Sequence, residues 1–306
     1  MGITLKHQDC MEYLKTLEDE SVDLICVDPP YFEIITDSWD NQWKSQDAYL
    51  EWCREWTEEC FRVLKTGRCF YVWGTTKEDT LLRYKLEVLN NIDDAHYKNW
   101  IIWAYDWGGR TKKTFARKHE DILMYSKGKD FLFNADDVRV PRAVKTNMNI
   151  TRKTRLIQAH LLNPRAWRNQ KDQHSWEKYS YNKKTTAELQ NELATLGTKN
   201  TLFAKGKIPT DVWTKNNHTT SKEYAGWHPT QKPIALLERI IKANTNPGDM
   251  VMDCFVGSGS TMVAAANLGR DFTGCEFDKD YCDKAIARFE ELTGLIYNKD
   301  ENVLDI

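Results

Sequence analysis

Val22-Asp-Leu-Ile-Cys-Val-Asp-Pro-Pro-Tyr31 is the stretch whose reading decides the fold. Residues Val22 to Val27 form a short apolar run of the kind that makes a strand buried on both faces. The run stops at Asp28, Pro29, Pro30 and Tyr31. Two consecutive prolines fix the backbone and remove two N–H donors. The turn therefore presents a carboxylate, a stiff run of carbonyls and an aromatic ring at the strand's carboxyl end. In open α/β sheets ligands bind just beyond that end. At average composition this tetrapeptide arises by chance in a chain of this length on the order of once in a thousand. The alternative is a turn that merely ends a strand.

Working outward, five more short apolar runs read as buried strands: Cys69 to Trp73, Trp100 to Ala104, Ile122 to Tyr125, Met250 to Cys254 and Phe272 to Cys275. Ala48 to Leu64 and Pro233 to Ala243 carry apolar residues at helical spacing between some of them. This alternation predicts an α/β fold with an open, mostly parallel sheet covered by helices.

A second turn follows the run that starts at Met250: Asp253-Cys-Phe-Val-Gly257-Ser-Gly259-Ser260, leading into the helix-like Thr261 to Leu268. Two glycines let a backbone approach a ligand closely, and helix N-terminal amides attract anionic groups. Glu276 ends the next strand, at the place where an acidic residue commonly holds the ribose hydroxyls of an adenosine cofactor. The turn is not a phosphate-binding P-loop, which would need Gly-Lys-Ser or Gly-Lys-Thr where this chain has Gly259-Ser260-Thr261.

The formal charge of −2 hides an uneven distribution. Between Arg139 and Gly226 there are 17 Lys or Arg against 6 Asp or Glu, a net of +11 that leaves −13 for the remainder. Trp167, Trp176, Tyr179, Tyr181, Trp213, Tyr224 and Trp227 lie among those cations or just beyond them. Cations interleaved with aromatics suit phosphate contact combined with base stacking, and a solvated charged face is the plainer reading. Within this basic stretch Thr185 and Glu188 form a capping-box pattern. Leu189, Leu193 and Leu196 share a face, and Gly197 offers a stop, which predicts one short helix. The eight cysteines include no Cys-x-x-Cys pair and read as buried thiols, with no metal site. No apolar run approaches the roughly 18 residues of a membrane span, so the expectation is a soluble cytoplasmic protein without a membrane partner.

Together these motifs resemble the amino-group DNA methyltransferases in their permuted, β-class order. Asp-Pro-Pro-Tyr comes first, the basic stretch follows, and the glycine-rich turn comes last. His228-Pro-Thr-Gln-Lys-Pro233, Lys118-His119-Glu120 and Asp211-Val-Trp213 also look like family segments. Gln8 and Cys254 depart from the pattern, since glycine and proline are commoner there. The resemblance implies a Rossmann-like methyltransferase sheet with helices on both faces, in three parts. Residues 1–138 would form the catalytic half, 139–226 an inserted target-recognition module, and 227–306 the cofactor half.

It further implies catalytic Asp28, Pro29, Pro30 and Tyr31, and S-adenosylmethionine as cofactor. Asp9, Cys10, His228, Thr230, Lys232, Asp253, Phe255, Gly257, Ser258, Gly259, Ser260, Glu276 and Phe277 would hold that cofactor. Lys145, Arg152, Lys153 and Arg155 would touch double-stranded DNA. A homodimer and a cognate restriction nuclease are the other partners the resemblance raises. His119 and His228 also read as ordinary structural histidines.

An exocyclic amine is a poor nucleophile because its lone pair is conjugated with the ring. A carboxylate and a carbonyl accepting hydrogen bonds from its two protons favour the pyramidal nitrogen of the transition state. Asp28 and the Pro29 carbonyl fit that task, and Tyr31 offers a ring for an extruded base. Asp as the first motif residue favours adenine N6 over cytosine N4 by family resemblance. Carbon-5 chemistry would need a cysteine nucleophile, typically after proline, and the chain has no Pro-Cys pair. An RNA or protein methyltransferase and a catalytically silent binding module are the remaining alternatives.

Overall fold

β2 (Val22–Val27) lies inside an eight-stranded sheet, and all six of its residues are buried. The computed structural model describes residues 1–34, 40–74, 79–105, 111, 113, 115–141, 153–158, 184–214, 223–298 and 303–305, without the side chains of 200–204 and 303–305. The other strands of this sheet are β1 (Ile3–His7), β3 (Leu64–Gly74), β4 (Ala95–Ala104), β5 (His119–Lys127), β6 (Val212–Thr214), β7 (Met250–Asp253) and β8 (Asp271–Glu276). They lie in the order β1-β8-β7-β2-β3-β5-β4-β6. Every neighbouring pair is parallel except the two that involve β5. The start of β5 therefore arrives at the edge where the other seven strands end, and the register places Glu120 opposite Trp103 near the end of β4.

Because β2 is covered on both faces, alternate side chains feed two cores. Leu24 and Cys26 join one, Ile25 and Val27 the other. The first core includes apolar residues of α5 (Ile234–Asn244), α6 (Ser260–Asn267) and α7 (Lys279–Thr293), and the second those of α1 (Cys10–Leu14) and α2 (Gln46–Val63). The mostly parallel sheet with helices on both faces is thus observed. All eight cysteines are buried free thiols.

The chain divides into two compact units, one made of Met1–Asp137 with Thr210–Ile306 and the other of Val138–Pro209. Residues 210–226, counted with the basic stretch on charge and weak strand signal, fall in the larger unit and include β6 of its sheet. Trp213 is correspondingly a core residue, 9% exposed, with the Arg239 guanidinium over its ring. It is not a free stacking surface. In the smaller unit the described part is chiefly α4 (Thr186–Ala204). Its capping box is formed: the Thr185 amide donates to Glu188 Oε2 at 2.6 Å and the Glu188 amide to Thr185 Oγ1 at 3.3 Å. Leu189 and Leu196 are buried as the shared face predicts. The expected stop at Gly197 is wrong, because α4 continues to Ala204. A glycine inside a helix costs only about 1 kcal/mol and ends it only when the next turn has nothing to gain. Among the described residues no helix is long and apolar enough to cross a membrane.

Candidate active site

Asp28 sits one residue beyond β2, and its two carboxylate oxygens are oriented by different partners. Oδ1 accepts a hydrogen bond from the Tyr31 hydroxyl at 2.5 Å. Oδ2 accepts from the Lys232 ammonium, which also donates to the Thr230 carbonyl at 3.1 Å and forms an ion pair with Glu120 Oε2 at 3.2 Å. Lys232 is only 5% exposed. Burial by itself pulls its pKa down, but the two carboxylates outweigh that and push it up to about 12. Burial raises the Glu120 carboxyl above its ordinary value even though Lys232 opposes it. The prolines set the geometry of the turn. Tyr49 on α2 donates to the Pro30 carbonyl at 3.0 Å, and Asp40 accepts from the Tyr31 amide at 2.7 Å. Tyr31 is 9% exposed, so the ring read as a stacking face is mostly covered, and its hydroxyl serves to orient Asp28.

Beside this turn lies a cavity of about 500 Å³ bordered by Asp9, Cys10, Pro30, Gln42, Trp52, His228, Cys254, Phe255, Gly257, Glu276, Phe277, Asp278 and Tyr281. Such a volume suits a drug-sized ligand. Its wall is aromatic at Trp52 and Phe255, whose rings lie 5.7 Å apart, and acidic at Asp9, Glu276 and Asp278. Among the described residues no Lys or Arg lines it. Pro30 belongs to both the turn and the cavity wall, so the two sites are contiguous.

The glycine-rich turn is held by backbone amides. Glu276 Oε2 accepts from the Gly257 amide at 2.7 Å and Oε1 from the Asp278 amide at 2.9 Å. Gly257 has φ +51°, and a Cβ there would stand 2.7 Å from His228 Nε2. The positive φ and the close approach of the ring both favour glycine there. His228 Nδ1 accepts from the Thr230 amide at 3.4 Å, and burial lowers its pKa to about 4, so the imidazole is neutral at pH 7. Asp9 caps α1, accepting from the Met11 amide at 2.8 Å, which places Cys10 on the cavity wall.

Of the thirteen cofactor candidates, Asp9, Cys10, His228, Phe255, Gly257, Glu276 and Phe277 meet around this cavity. Six do not line it. Asp253 is buried behind the turn, where it accepts from the Phe255 amide at 3.0 Å and the Thr261 hydroxyl at 2.7 Å. Burial raises its pKa to about 7. Ser258 and Ser260 are buried 3.2 Å apart on either side of Gly259, with Arg288 donating to the Ser258 carbonyl at 2.8 Å. Thr230 and Lys232 belong to the Asp28 network instead. Pro30, Gln42, Trp52, Cys254, Asp278 and Tyr281 line the cavity without having been read as cofactor residues. Trp52 carried a signal, since with Trp56 it forms a large aromatic pair at i, i+4 spacing on the helix after the Asp28–Tyr31 turn.

Of the DNA candidates, Lys153 and Arg155 belong to a helical segment, 153–158, whereas Lys145 and Arg152 lie outside the described residues. So do Trp167, Trp176, Tyr179 and Tyr181. Tyr224 is exposed, and Trp227 packs 5.8 Å from Tyr281.

A charged turn at the end of a central strand, next to a glycine-bordered cavity, is the arrangement expected of the N6/N4 family. The family model for DNA methylases of the N6/N4 type matches residues 22–288, and the chain belongs to that family. The DNA adenine methyltransferase YhdJ of Escherichia coli (strain K12) is 31% identical over 295 residues, spanning 94% of this chain and 82% of that protein. The type II methyltransferase M.HpaI of Haemophilus parainfluenzae is 29% identical over 283 residues, spanning 92% and 72%. Among solved structures, the cytosine-N4-specific PvuII DNA methyltransferase has a TM-score of 0.61 at 16% identity, covering 96% of this chain and 91% of that one. M1.HpyAVI in complex with SAM has a TM-score of 0.55 at 20% identity, covering 94% and 98%. These likenesses identify the sheet as the Rossmann-like fold of such enzymes.

Proposed function

We propose that this DNA methylase transfers the methyl group of S-adenosylmethionine to the exocyclic N6 of adenine in double-stranded DNA. The observation that carries the reading is the sharing of Pro30 between the Asp28–Tyr31 turn and the 500 Å³ cavity, which sets a nucleophile-activating carboxylate beside a cofactor-sized space. The cavity's chemistry fits the cofactor. Glu276 and Asp278 suit ribose hydroxyls, the ring of Phe277, 74% exposed, suits the adenine, and the acidic and aromatic lining, without Lys or Arg among the described residues, suits a cation. S-adenosylmethionine supplies an electrophilic methyl group on a positively charged sulfonium.

Asp28 accepts a hydrogen bond from one amino proton of the target, holding the nitrogen lone pair out of conjugation as the N–CH3 bond forms and the S–CH3 bond breaks to leave S-adenosylhomocysteine. The second acceptor is the Pro29 carbonyl, since the Pro30 carbonyl accepts from Tyr49. Lys232 and Tyr31 fix the Asp28 carboxylate in advance, so no reorganisation is needed at the moment of transfer. The base must leave the duplex to reach Asp28. The adenine assignment rests on Asp28 as first motif residue, and the adenine-named relative YhdJ supports it.

The test is incubation with unmethylated genomic DNA and tritiated S-adenosylmethionine, followed by digestion to nucleosides. Label in N6-methyldeoxyadenosine is expected. Label in N4-methyldeoxycytidine would correct the base, and absence of label would overturn methyl transfer to DNA.

A further inference from the structure

The Lys232 ammonium is surrounded by acceptors from three separate parts of the chain: Asp28 after β2, Glu120 at the start of β5, and the Thr230 carbonyl in the segment before α5. Asp28 and the Thr230 carbonyl accept hydrogen bonds from the ammonium, and Glu120 Oε2 faces it as an ion pair at 3.2 Å. Glu120 reaches this point only because β5 runs against its neighbours, so that the beginning of this strand meets the ends of the others. A lysine paired with Asp28 alone would neutralise the carboxylate that has to draw on the target amine. The second carboxylate divides the ammonium's charge and leaves the cluster of Asp28, Lys232 and Glu120 with one net negative charge when both acids are ionised. With the ammonium buried and the two carboxylates partly buried, that difference weighs more than it would in water.

We propose that Glu120 is a positioning residue of methyl transfer, acting through Lys232: by holding one side of the ammonium, it keeps Asp28 oriented and negative enough to accept the amino proton. The inference rests on the proposed methyl-transfer function and adds to it a residue that touches neither the cofactor cavity nor, in this arrangement, Asp28 itself. Among the described residues the charged or titratable groups acting on Glu120 include Lys232, Asp28, Arg117, Tyr105 and Tyr31. Lys232 and Arg117 favour its ionised form, while burial and Asp28 oppose it.

The experiment compares wild type, Glu120→Gln and Glu120→Asp in three measurements: S-adenosylmethionine affinity by calorimetry, single-turnover methylation of DNA across pH, and melting temperature. Glu120→Gln is expected to slow transfer about tenfold, equivalent to one power of ten in rate constant, with cofactor affinity within about twofold. The pH profile separates positioning from structure. Wild type should lose activity on the acid side as Glu120 takes up a proton, at a pH above that of an ordinary glutamate because its pKa is raised. In Glu120→Gln that limb should move to lower pH, and Glu120→Asp should keep it. Wild-type rates in Glu120→Gln, or slower transfer with an unmoved acid limb and a lowered melting temperature, would overturn the assignment. If Glu120→Gln does not fold, Glu120→Asp decides: loss of the acid limb there would also overturn it. Absence of transfer by wild type would overturn the methyl-transfer reading, and this inference with it.

Discussion

Two turns meet at the carboxyl edge of the sheet, and they are built on different physics. The turn after β2 is set by charge: Asp28 is held by a hydroxyl and a buried ammonium, and the ammonium in turn by Glu120. The turn after β7 is set by backbone and space. Amides there donate to Glu276 and Asp253, and Gly257 lies so close to His228 that a single methyl group would collide. A region built on charge fails when one charge is removed, with little change in shape. A region built on close approach fails when one carbon is added, with no change in charge. The first suits chemistry that needs electrostatic stabilisation, the second suits recognition of a ligand's outline.

That contrast is most easily broken at Asp28. Asp28→Ala is expected to lower transfer by about 10³-fold, while cofactor affinity measured by calorimetry stays within about twofold. Full activity would show that the charged turn is not the chemical one. The opposite pattern is expected for Gly257→Ala: cofactor affinity falls by about tenfold or more, and stability falls by about 1–2 kcal/mol, because alanine must adopt positive φ and displace the His228 ring. Chemical denaturation and calorimetry check both parts, and unaltered cofactor binding would remove the glycine turn from the cavity's working wall.

A smaller effect sharpens the comparison through His228. Its folded pKa is about 4, below the usual 6.5, so the unfolded chain binds a proton first as pH falls. Stability from this residue is complete above pH 6.5 and is lost as pH drops toward 4, by about 2 kcal/mol for a half-buried ring. Urea denaturation of wild type and His228→Gln at pH 7 and pH 4.5 tests this; parallel losses would mean the imidazole is not the group responsible. The least effect on either turn is expected from the basic unit. Neutralising Lys153 and Arg155, with Lys145 and Arg152, should flatten the salt dependence of DNA binding by about one unit of slope per phosphate contact removed. An unchanged slope would take these side chains out of the DNA contact.

Both turns were legible in the sequence because each combines a buried apolar run with residues that only a special backbone tolerates. All six strands read from apolar runs are present, although β3 and β4 each begin five residues earlier than their runs. β1 escaped because Ile3-Thr-Leu-Lys-His7 mixes polar with apolar residues over only five positions. α7 was missed because its apolar positions are diluted by Lys, Asp and Glu. Lys232 was read with the cofactor because its neighbours His228 and Thr230 point that way along the chain. Its actual partners, Asp28 and Glu120, are brought to it only by the strand order. No local pattern carries such information. Asp253, likewise, looks like a ligand contact beside two glycines, yet it is 3% exposed and lies behind the turn, bonded to the Phe255 amide and the Thr261 hydroxyl.

The cavity borrows its walls from opposite ends of the polypeptide: Asp9 and Cys10 follow β1, while Phe277, Asp278 and Tyr281 follow β8, the strand with which β1 pairs. On a ribosome, the catalytic turn emerges early and its helices can begin to pack. The cofactor space, however, cannot close until nearly the whole sheet has been synthesised. On the proposed function, a nascent chain carries the Asp28 carboxylate before the cavity that would hold the methyl donor exists, and a chain cut before β8 is expected to transfer no methyl group.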